Sequence, residues 1–131
     1  MKKVKILSLG LLFFSAALMF SCSRERSAHV GVWWGEQMAE NLTAGGYKGI
    51  AIYIDGVLVD SKTADIYWTK KPNNCDDMSD VPSREITWEK ADTKEVIIKV
   101  EFDHEEDDFD VEIKDTIIVE DGDCLFWQLG S

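Results

Sequence analysis

Apolar and polar residues alternate along this chain in short runs, with a period of two more often than 3.6. Val30-Gly31-Val32-Trp33-Trp34 predicts a first strand. Trp34, Met38 and Leu42 then fall at i, i+4 and i+8. That spacing predicts one or two helical turns over Glu36 to Leu42, ended by Gly45-Gly46, with a continued strand as the alternative. The clearest local signal is Tyr47 to Asp60, where Asp55-Gly56 separates two β-rich runs. A type I′ turn requires positive φ at both central positions, and Asp-Gly meets that need. The implied register pairs Ile54 with Val57 and Ile52 with Val59, placing all four on one face. Ala64 to Thr69 predicts a third strand with Ile66 and Trp68 on one side. Lys70 to Ser83 is a long loop rich in Pro, Asn and Asp.

Beyond that loop, Arg84 to Glu89 and Glu95 to Phe102 both alternate, with Ile86, Trp88, Val96, Ile98, Val100 and Phe102 inward. An acidic turn follows at Asp103 to Asp108. Phe109, Val111 and Ile113 continue the alternation until Asp115 breaks it, which predicts a bulge or turn near Lys114-Asp115. Thr116 to Val119 reads as a buried strand, a second Asp-Gly turn lies in Glu120 to Asp123, and Cys124 to Leu129 closes the chain. Seven or eight short strands at close spacing predict an all-β domain. The expected fold is a small antiparallel barrel or, as the alternative, a β-sandwich.

The first residues need a different account. Lys2, Lys3 and Lys5 precede an apolar run from Ile6 to Phe20. As a helix that run spans roughly 22 Å, short of the ~30 Å hydrocarbon core, so a secretory signal is the better reading than a membrane span. Met19-Phe20-Ser21-Cys22 resembles the lipobox of bacterial lipoproteins, with a small residue before the cysteine and a departure from the common pattern at Met19 and Phe20. The resemblance implies a signal peptide over 1–21, a lipid on Cys22, a tether over 22–28 and one domain over 29–131. Ser23 in place of Asp after the cysteine implies sorting to the outer membrane. The tether Ser23 to Ala28 reaches at most ~20 Å, which keeps the domain near the membrane.

Three cysteines leave an odd thiol in an exported protein. With Cys22 acylated, Cys75 and Cys124 remain as a disulfide pair, favoured over a metal site because neither His29 nor His104 has ligand spacing to them. Closing 49 positions stabilises the chain by roughly 4 kcal/mol in the chain-entropy treatment. Removal of the signal takes three lysines and no acid, so the net charge of −11 becomes −14. Such a chain excludes electrostatic binding to nucleic acid or to an anionic membrane surface and favours basic partners or cations.

Gly31-Val32-Trp33 resembles the G-x-W signature of lipocalin-like barrels, which implies a closed barrel with a ligand cavity. Leu125-Phe126-Trp127 with Gly130 is faintly similar to the last strand of small lipoprotein inhibitors of lysozyme. Candidate ligand-binding aromatics are Trp33, Trp34, Tyr53 and Trp68. Asp103, Glu105 and Asp107 form a weak cation candidate without the spacing or turn glycine of an EF-hand loop. His29 falls in the tether and His104 in the charged loop, neither within a nucleophile, zinc or phosphate-loop motif. The chain therefore reads as a non-enzymatic, cofactor-free binding module, anchored in the envelope and holding a small apolar ligand or a protein partner near the membrane. The alternative is an acidic inhibitor of a basic extracellular enzyme such as lysozyme.

Overall fold

A computed structural model describes residues 24–72, 75, 80–104 and 111–130. The proposed signal peptide, Cys22, Glu105 and Asp107 lie outside the described residues. Seven strands and one helix follow in the order β1 (Arg26–Trp33), α1 (Glu36–Ala44), β2 (Tyr47–Ile54), β3 (Val57–Thr63), β4 (Ser83–Trp88), β5 (Thr93–His104), β6 (Val111–Glu120) and β7 (Cys124–Gln128). They form two sheets, β4-β1-β7 and β3-β2-β5-β6. The fold is a β-sandwich, and the closed barrel implied by Gly31-Val32-Trp33 does not form. All ladders are antiparallel except β1 with β7, which run parallel.

One continuous core lies between the sheets. Val30, Val32 and Ile86 from the smaller sheet meet Ile52, Ile54, Val96, Ile98 and Val100 from the larger. The helix forms where the 3.6-residue spacing places it, burying Ala39 and Leu42 with Met38 packed beside them. It ends at Gly45, and Gly46 takes a φ of +85° that a side chain would resist.

The β2–β3 hairpin turns as expected, with φ of 52° at Asp55 and 83° at Gly56. The expected register holds for two pairs only. Ile54 faces Val57 and Tyr53 faces Leu58, but a bulge then sets Ile52 opposite Asp60 instead of Val59. After the bulge, the β3 partners of buried Ile52 and Ile50 are Asp60 and Lys62, joined to each other by a 3.2 Å ion pair. The inner phase of this edge strand is therefore charged, where hairpin pairing alone predicts valine.

Four further expectations change. Ala64 to Thr69 is no strand. Trp68 donates its backbone N–H to Trp34 O at 3.0 Å, and the Trp34 indole donates to Ile66 O, so the segment folds across Trp34 and leaves Ile66 and Tyr67 exposed. The bulge expected at Lys114-Asp115 is absent, since β5 and β6 pair without a register shift from Thr93↔Glu120 to Phe102↔Val111. β6 is an edge strand, so Ile118 is 61% exposed and its residues are not buried on both faces. Finally, Arg26 to Ala28 belong to β1 and not to a tether; Ala28 is buried, and Gly122 N–H is bonded to Ser27 O at 2.8 Å.

Around Gly31 the outer face of the smaller sheet is covered by the segment that leads into β4, while Glu85 and Thr87 of β4 stay exposed. Val81 and Pro82 are buried, Pro82 O accepts the Val32 N–H at 2.9 Å, and Val81 stands over Gly31 beside the Phe126 ring. Cys75 and Cys124 are joined as a disulfide, which ties this segment to β7.

Candidate functional site

The four aromatic candidates are not gathered into one surface. Trp34 is fully buried and meets Trp68 edge-to-face, with ring centroids 4.9 Å apart. Trp33 is also buried, and its Nε1 has no hydrogen-bond partner among the described residues. In this fold Trp33 and Trp34 are core side chains with no face to offer a ligand, and Trp68 packs against the same core. Tyr53 sits apart on the outer face of the larger sheet. Lys99 Nζ lies 4.2 Å from its ring centroid, and its hydroxyl is 3.4 Å from Glu101.

The charged candidates resolve in the same way. Asp103 faces Lys48 at 3.7 Å. No group of three or more potential metal-ligating side chains occurs among the described residues. His29 lies within β1 and not in a tether, its N–H bonded to Asp123 O at 2.8 Å. His104 ends β5, where its Nε2 is 2.9 Å from Gly45 O and its ring stands edge-on to Tyr47.

The concave feature that the sequence did not disclose lies on one side of the sandwich. β6 and β7 leave the Glu120–Asp123 turn in different sheets, and each is the outermost strand of its sheet. The backbones do not pair across this seam. A side-chain bond spans it instead: the Trp127 indole donates to Asp115 Oδ2 at 2.9 Å. This explains Asp115, which broke the apolar alternation. It keeps the inner phase of β6 but stands at the rim, where a polar atom has a partner and solvent.

Beside that bond is an open groove of about 410 Å³. Ile117, Leu125 and Trp127, which all pack on the core, form its floor. Cys124, Phe126, Pro72 and Lys71 line the rest. The walls are apolar with Lys71 as their one cation and the Asp115 carboxylate nearby, and among the described residues that line it there is no paired acid and base. A second depression of about 400 Å³ lies on the outer face of the larger sheet, over Gly49, Ala51 and Ser61. Its surroundings are Lys62, Glu101 and Asp103.

Sequence reasoning placed Leu125-Phe126-Trp127 in a closing strand but gave no signal for the groove. The signal in hindsight is a β-rich strand with no charge, Cys124 to Gln128, in a chain that is 30% charged. Compared with protein-family models, curated proteins and solved structures, the chain has no match.

Proposed function

We propose that the chain is a non-enzymatic binding domain, held outside the cytoplasm by a lipid on Cys22 and anchored to the outer membrane, and that the β6–β7 groove is its binding surface. The lipobox-like Met19-Phe20-Ser21-Cys22 supports the anchor, and the Cys75–Cys124 disulfide suits an oxidising compartment. The observation that carries the reading is the groove itself. Ile117, Leu125, Phe126 and Trp127 are apolar, only partly buried, and line one and the same depression. Partly exposed, contiguous apolar residues on a rigid frame are what a binding surface requires.

With β1 beginning at Arg26, Ser23 to Glu25 is the whole spacer after the acylated cysteine, about 10 Å when extended. The domain is thus held against the membrane surface, and its partner meets it there. Two measurements test the reading. Intact mass of protein extracted from membranes should show the acyl chains, and Cys22→Ala should release the protein from the membrane fraction. The neutral apolar dye N-phenyl-1-naphthylamine should bind the protein and lose most of its affinity for Ile117→Asp. Dye binding unchanged by that substitution would remove the groove from the account.

A further inference from the structure

We propose that β7 accepts an extended, cationic segment of a partner protein as an added strand, with alternate apolar side chains of that segment lying in the groove. This rests on the groove being the binding surface and adds what the partner is and how it is held.

The backbone pattern comes first. His29 N–H reaches Asp123 O at 2.8 Å and Leu129 N–H reaches Trp33 O at 2.9 Å. In a parallel ladder these bonds alternate, so the Asp123 carbonyl and the peptide groups of Leu125, Trp127 and Leu129 turn toward β1. Cys124 and Phe126 then turn theirs away from β1, toward the open side of the sheet. No described backbone group pairs with them there. An N–H and a C=O with no partner among the described residues, beside an apolar groove, form the site that strand addition uses. The main-chain bonds supply affinity, and the groove selects side chains.

The other three sheet edges are guarded against such pairing. β3 carries Asp60 and Lys62 in its inner phase, and β6 carries Asp115 there. Inward charges on an edge strand oppose the docking of another strand. On β4, Arg84 crosses to Ile54 O at 3.0 Å, which ties that edge to the opposite sheet. β7 contains no charged residue.

Charge selects the occupant. The turn that leads into β7 holds Glu120, Asp121 and Asp123, and the exported chain carries −14. Two copies at that charge repel, so edge-to-edge pairing of this chain with itself is disfavoured. A segment with Lys or Arg beside the 120–123 turn gains from the same field, and Lys71, which lines the groove, favours an acidic or polar residue next to it.

The probe is a synthetic library of ten-residue peptides alternating Val, Ile, Leu or Phe with Lys or Arg, set against the same library with Glu in the charged positions. It is titrated into the exported, disulfide-intact protein and followed by backbone amide shifts. The basic library should bind, shift Cys124 and Phe126 amides most, and weaken with salt. N-methylation of alternate peptide groups should weaken it on the order of tenfold, since two edge hydrogen bonds are lost. Phe126→Pro removes the open-edge N–H without removing a ladder bond and should act likewise; should that variant fail to fold, the methylated peptides on unaltered protein decide. Equal binding of methylated and unmethylated peptides overturns strand addition while leaving a binding groove. Preference for the Glu library, or dimerisation through β7, overturns the choice of partner. Failure of both libraries with dye still bound at Ile117 overturns the inference alone; failure of dye as well overturns the function beneath it.

Discussion

The two sheets solve the same problem in different ways. The larger one alternates cleanly: in β5, Val96, Ile98, Val100 and Phe102 are buried while Thr93, Glu95 and Asp103 are exposed. Its outer face carries partly or fully exposed ion pairs, Lys99–Glu101 at 3.2 Å and Lys114–Glu112 at 3.2 Å among them. The smaller sheet has no free outer face at the end of β1, where Gly31, Val32 and Trp33 are buried in succession and buried Trp34 follows. Its second cover comes from the segment before β4, which is tied on by the disulfide. A strand covered on both faces reads as a continuous apolar run, and a strand covered on one face reads as an alternation. The contrast also assigns the open edge: the larger sheet has inward charge on both outer strands, and the smaller has an apolar β7.

Substitutions sharpen this contrast. The largest effect is expected from the staple. Replacing Cys75 and Cys124 together by Ala should lower stability by about 4 kcal/mol, read as a shift in denaturation midpoint. Ile98→Ala, in the core shared by both sheets, should cost about 3 kcal/mol by the same measurement. If loss of the disulfide shifted the midpoint by less than a surface substitution, the smaller sheet would owe nothing to its second cover.

The two strand glycines give a finer comparison. A Cβ at Gly31 would stand 3.1 Å from the Phe126 ring and 3.3 Å from Val81, so Gly31→Val should overpack that cover and cost about 1–3 kcal/mol. At Gly49, on the larger sheet, the nearest atoms are 3.7 and 3.9 Å away. Gly49→Ala should be neutral or stabilise by up to about 1 kcal/mol, because the unfolded chain loses freedom. Equal costs at both positions would break the contrast between a covered and an open face.

Trp127→Phe keeps the apolar floor of the groove and removes the indole bond to Asp115; it should cost about 1 kcal/mol. The smallest effect is expected from Lys99→Ala. Its ion pair with Glu101 is partly exposed, and the change should stay within about 0.5 kcal/mol, falling further in high salt.

What was legible in the sequence was local or period-bound. The helix at Glu36, the Asp55-Gly56 turn and the inward phase of β5 each follow from a few adjacent residues. The partnership of Cys75 with Cys124 followed from assigning Cys22 to a lipid. Ala64 to Thr69 misled because its alternation is genuine but has no neighbouring strand to pair with. Trp34 takes its backbone and indole bonds instead. Asp115 misled in the opposite sense: a polar residue in the apolar phase suggested a break, when the ladder ran on to a strand edge.

The aromatic candidates failed for a related reason. Residue type cannot distinguish a fully covered tryptophan from one at an open rim. Trp33 and Trp34 belong to the first kind and Trp127 to the second.

By itself the sequence determined the β-rich class, the hairpin turn and the charge, because these depend on neighbours within a few positions or on composition. Only the tertiary structure decided that β7 returns parallel to β1, that the sheets stay open on that side, and which apolar residues line the seam. Those outcomes depend on contacts between residues nearly a hundred positions apart, such as Ser27 with Gly122, which no local pattern encodes.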